Sequence, residues 1–63
     1  MSWTHCMEKK AIHKYGPQVE TCVKGITKGD FSKIAKCIAD AVGDADPEKI
    51  AAELAEWSIE CAL

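Results

Sequence analysis

Cys6, Cys22, Cys37 and Cys61 are the residues of this chain best equipped for chemistry, because a thiol can pair, hold a metal or attack as a nucleophile. Spacing chooses among these roles. Structural zinc sites bring their ligands in close pairs such as Cys-x-x-Cys, whereas here at least fourteen residues separate each cysteine from the next. His5 and His13 add nitrogen donors but no pairing of that kind, and each reads as a solvated side chain. Nucleophilic catalysis needs a base beside a reactive thiol and a group to orient it, and no such arrangement is legible. Asp44, Asp46 and Glu48 lie close together, yet helix capping accounts for them, and calcium wants a longer run of oxygen ligands. No metal, cofactor or catalytic site is therefore expected. An even number of cysteines in a 63-residue chain points instead to two disulfides and an oxidising setting, extracellular (secreted) or periplasmic.

Four cysteines allow three pairings, and the elements that carry them rank these. Gly16-Pro17 ends one helix and opens the next, which predicts a first helix over 3–15 and a second over about 17–24. Glycine there is expected in the left-handed conformation. Trp3, Met7, Ala11 and Tyr15 recur at four-residue steps along the first helix, and Val19, Cys22, Val23 and Ile26 form a tight stripe on the second. Gly25 to Gly29 make a loop. Asp30 is placed to cap a third helix over 31–42, with Phe31, Ile34, Ala35, Ile38 and Val42 at helical spacing, and Gly43 closes it. Asp46-Pro47-Glu48 then opens a fourth over 47–62. On its wheel Lys49, Glu53, Glu56 and Glu60 share one narrow polar arc, while Ile50, Leu54, Trp57 and Cys61 line another side and alanines with Ile59 fill much of the rest. So widely apolar a helix is expected either to be wrapped by its neighbours in the bundle centre or to touch something nonpolar outside.

These elements predict an all-α four-helix bundle in one domain, residues 1–63. Cys22 and Cys37 lie at similar distances from the turn near residue 28, so they meet in an antiparallel pair. Cys37 and Cys61 are mismatched about their own turn by about 12 Å at 1.5 Å per residue, beyond disulfide reach. Cys22–Cys37 with Cys6–Cys61 nested outside it is the expected pairing.

Composition explains why staples are needed. Ordering costs roughly 1.5 kcal/mol per residue, and the apolar 48% of this chain includes nine alanines and only four aromatics, Trp3, Tyr15, Phe31 and Trp57. Charge is divided unevenly. Residues 1–36 set seven lysines against Glu8, Glu20 and Asp30, giving +4, whereas residues 37–63 set Lys49 against seven acids, giving −6. All eight basic residues are lysine; without arginine, the residue suited to bidentate phosphate and base-edge contacts, nucleic acid is not expected as a partner. No apolar run approaches the roughly 20 residues that span a bilayer. The opening residues also lack the charged-then-apolar layout of a signal peptide, so the chain is expected either mature after processing or exported without a leader.

Met1-Ser2-Trp3, Lys14-Tyr15-Gly16 and the turn from Lys24-Gly25 to Lys28-Gly29 together resemble the leaderless bacteriocins of the aureocin and lacticin type. That resemblance covers the first half of the chain. It implies a saposin-like helical bundle, secreted without a signal peptide, that acts on bacterial membranes. Trp3, Lys9, Lys10, Lys14, Tyr15, Lys24 and Lys28 match the positions it assigns to the membrane surface. The four cysteines and the acidic last helix depart from that cationic, tryptophan-rich pattern. Two functions are thus expected: an antibacterial peptide acting on an anionic membrane surface through its basic half, or a small extracellular module whose acidic face engages a basic protein partner. Buried Trp3 and Trp57 favour the module, and an exposed Trp3 beside lysines favours the membrane.

Proteolytic mapping without reductant should recover a Cys6–Cys61 and a Cys22–Cys37 linked fragment. Four free thiols, or a Cys6–Cys22 fragment, would overturn the pairing.

Overall fold

The computed structural model describes residues 2–27, 29–43 and 46–63. All regular structure among them is helical. Trp3–Tyr15 forms α1, Pro17–Val19 a single 3-10 turn, Glu20–Val23 a short α2, Phe31–Val42 α3, and Pro47–Ala62 α4. The Ser2 hydroxyl accepts the His5 amide at 3.1 Å and so satisfies one free donor of α1. At the start of α4 the Asp46 carboxylate accepts the Lys49 amide at 3.3 Å, beside Pro47 in the first turn.

Three local expectations need correction. Residues 17–24 do not make one helix: the chain passes from the 3-10 turn through Val19, at φ −92° and ψ 0°, into a four-residue α2, and leaves it at an extended Lys24. So short a segment cannot repay helix nucleation by itself, and its shape is set by burying Val19, Val23 and Ile26. Gly16 has positive φ, 96°, but its ψ of 169° lies outside the left-handed helical region. The positive φ is what favours glycine there, since the only close neighbour of an added Cβ is the tip of the exposed, movable Gln18 side chain. Asp30 makes no side-chain cap on α3; its carboxylate accepts the Thr27 hydroxyl at 3.2 Å, and only its carbonyl takes part, accepting the Ile34 amide. Gly43 behaves as expected, closing α3 in the left-handed conformation at φ 74° and ψ 21°.

α4 packs against both α3 and α1, and the segment from Pro17 to Val23 also packs against both. The core between them is aliphatic: Met7 and Ala11 from α1, Val19, Val23 and Ile26, then Ile34, Ala35, Ile38 and Ala39 from α3, and Ile50 and Leu54 from α4. No aromatic side chain is fully buried among the described residues. Trp3, Tyr15, Phe31 and Trp57 instead lie half-buried against its edge. The pairs Trp3–Phe31 and Tyr15–Trp57 bring ring centroids to 6.4 and 6.3 Å, within the range of favourable ring contacts. Both disulfides are formed as expected, Cys6–Cys61 and Cys22–Cys37, each with Cα atoms 5.7 Å apart. On the chain-entropy account the inner bridge contributes about 3 kcal/mol and the outer about 4 kcal/mol.

Ile38 and Leu54 are both fully buried in this core, whereas Glu56 is exposed. Ile38→Ala and Leu54→Ala should each cost about 2–5 kcal/mol, and Glu56→Ala no more than about 0.5 kcal/mol, in chemical denaturation. Equal midpoints for the three variants would contradict this assignment of the core.

Candidate functional site

The residues that the sequence places at a surface divide into two groups, and α1 separates them. Trp3, Lys10, Lys14 and Tyr15 all turn toward α4. The Trp3 indole N–H donates to the Ser58 carbonyl at 3.1 Å, and its ring lies on Phe31. Lys10 pairs with Glu60 at 3.1 Å, while Lys14 and the Tyr15 hydroxyl both donate to the Glu53 carboxylate. The Lys14 ammonium also sits 5.6 Å from the Tyr15 ring centroid. α1 runs antiparallel to α4, because Cys6 meets Cys61 while Lys14 meets Glu53.

Lys9 and Lys24 remain exposed and have no ion-pair partner. Lys28, the seventh of the residues singled out, lies outside the described residues. Lys33 and Lys36 belong with the exposed pair although the resemblance did not single them out: both are exposed on α3 without an ion-pair partner. Their signal was present in the sequence, since Lys33 directly precedes Ile34 and Lys36 falls between Ile34 and Ile38, both off that apolar stripe. His5 and His13 are both exposed. Among the described residues no three His, Cys, Asp or Glu side chains converge in a way that could hold a metal ion, and no helix is long and apolar enough to cross a membrane.

A second surface lies on α4: of the two expected arrangements, wrapped by its neighbours or open to the outside, the bundle leaves one side of the helix uncovered. Glu53 and Glu60 are drawn to α1, Ile50 and Leu54 face the core, and the opposite arc stays open. Ala52, Ala55, Ile59 and Ala62, spaced by three and four residues, are all exposed along it, with Ile59 at 67%. Glu48 heads the same line and Glu56 lies at its side, both exposed without an ion-pair partner. Ile59 is thus a surface residue that wheel reasoning grouped with the filling alanines. Among the described residues α1 and α3 are the main elements packed against α4, and two flanks cannot cover a helix that is apolar over most of its circumference.

Glu53 is the polar hinge of the α1–α4 contact. Its side chain is 21% exposed and receives two donors, whereas Glu60 is 57% exposed and receives one. Glu53→Ala should therefore cost about 1–3 kcal/mol, as expected where a charge-assisted hydrogen bond is lost from a partly buried group. Glu60→Ala should cost under about 1 kcal/mol. Urea denaturation at low and high salt distinguishes them, and a larger loss for Glu60→Ala would reverse the ranking.

No protein-family model matches this chain, and neither a curated protein nor a solved structure matches it, so the likeness to the leaderless bacteriocins rests on the quoted residues alone.

Proposed function

We propose that the protein is a small, secreted, disulfide-stapled module that binds a basic protein partner through the outer face of α4. One observation carries this reading: the arc of Ala52, Ala55, Ile59 and Ala62 is exposed beside the unpaired Glu48 and Glu56, while the aromatics of the basic half pack against the bundle. An apolar stripe edged by carboxylates suits an amphipathic helix with lysine or arginine along its margins, since apolar contact supplies affinity and flanking charge supplies register and encounter rate. Secretion is supported by the two disulfides, which persist in oxidising compartments. The reading assigns no reaction to the chain.

An antibacterial action on anionic membranes is the second reading. Its support is the exposed set of Lys9, Lys24, Lys33 and Lys36, none of which has an ion-pair partner. Against it weigh Trp3, Lys10, Lys14 and Tyr15, whose side chains are already engaged with α4.

A synthetic amphipathic helix with a leucine stripe and lysine flanks provides the test, using fluorescence anisotropy, alongside the same stripe with glutamate flanks. Saturable binding of the basic helix alone is expected, lost in Ile59→Lys and weakened in Glu56→Lys, with circular dichroism unchanged. No binding of the basic helix, together with dye release from anionic vesicles, would replace this reading with the membrane one.

A further inference from the structure

The two disulfides stand in unlike surroundings. Both cysteines of the outer bridge, Cys6 and Cys61, are half-buried at the α1–α4 contact, whereas Cys37 is exposed and its partner Cys22 half-buried. Cys22 and Cys37 also help line an open groove of about 300 Å³ between α2 and α3. Ile26 and Ile34, both nearly buried, contribute its apolar wall, and Lys24, Lys33 and Asp30 its charge. Asp30 is engaged by the Thr27 hydroxyl, but neither lysine has an ion-pair partner. Lys33 precedes Cys37 by one helical turn and therefore shares its side of α3, and Lys24 follows Cys22 by two residues.

From this we infer that Cys22–Cys37 is a thiol–disulfide exchange site for anionic low-molecular-mass thiols, with Cys37 as the sulfur attacked, while Cys6–Cys61 serves as the protected staple. The incoming thiolate forms a bond to Cys37 Sγ as the Cys22–Cys37 bond breaks. Cys22 leaves with the electron pair as a thiolate, and the adduct is a mixed disulfide on Cys37. A second thiolate can attack the added sulfur, which releases the oxidised thiol and leaves Cys37 as a thiolate. Two electrons pass from two thiols to the protein disulfide, and each protein thiolate takes its proton from water. Lys24 and Lys33 contribute at both ends of the step, attracting the anionic reagent and favouring the leaving thiolate over the thiol.

Exposure governs access to a disulfide, and local charge governs which thiol reaches it first. Glutathione, with a net negative charge, mercaptoethanol, neutral apart from its thiolate, and cysteamine, a cation, separate these effects when rates are compared at equal thiolate concentration. Each is incubated with the native protein, quenched with an alkylating agent and mapped by mass spectrometry. The expected result is alkylation or mixed disulfide at Cys22 and Cys37 before any at Cys6 and Cys61, with glutathione fastest and cysteamine slowest. Lys24→Gln and Lys33→Gln should each slow glutathione about threefold, the size of one charge interaction at about 6 Å in water, and leave mercaptoethanol less affected. Opening of Cys6–Cys61 first or at the same rate would overturn the inference, as would a rate order independent of reagent charge. The wild-type mapping needs no variant to fold, and its result does not depend on whether α4 binds a partner.

Discussion

The bond between Cys6 and Cys61 joins residues 55 apart in sequence and holds the first helix against the last. Its contribution of about 4 kcal/mol is large beside the 5–15 kcal/mol that ordinarily separates folded from unfolded domains. Once α1 and α4 lie antiparallel, Lys10 reaches Glu60, Lys14 and Tyr15 reach Glu53, and Trp3 reaches the Ser58 carbonyl. None of these contacts is local, so each depends on the α1–α4 arrangement that the bridge holds. The charge difference between the two halves of the chain is thereby partly spent inside the molecule.

A small core dictates the remaining architecture. Met7, Ile38, Leu54, Val19 and Val23 are its largest fully buried side chains, and Ala11, Ala35 and Ala39 are buried with them. Rings would need more interior volume than this core encloses, so they lie half-exposed along its edge and cover it from the side. The Trp3 indole N–H then has an accessible carbonyl partner and the Tyr15 hydroxyl a carboxylate, the arrangement that suits amphipathic rings. The same shortage of interior explains why α4, apolar on most of its circumference, leaves one arc uncovered. A larger domain would lay a further element there.

The helices, their order and both disulfide partners were legible in the sequence, because periodicity, Gly16-Pro17, Gly43 and Asp46-Pro47 are local signals and register is simple arithmetic along a helix. Stripe positions also read true, with Ile34, Ala35 and Ile38 buried on α3 and Ile50 and Leu54 on α4. Legibility failed where the local preference was weak. Residues 17–24 are too few for helix propagation to outweigh the burial of Val19, Val23 and Ile26, and the Asp30 carboxylate had Thr27 as an alternative donor.

Tertiary structure alone decided how the candidate surface residues are used. A wheel places Glu53, Glu56 and Glu60 on one arc, but only the proximity of α1 engages Glu53 and Glu60 and leaves Glu56 free. Lysines 9 and 10 are adjacent in sequence, yet one is exposed without an ion-pair partner and the other is paired across the α1–α4 contact. Sequence determined which residues are apolar, charged or able to pair, since those properties belong to the residue and its near neighbours. Which apolar arc stayed open, and which charges were neutralised, followed from the number and direction of neighbouring helices, a property of the assembled bundle that no local pattern carries.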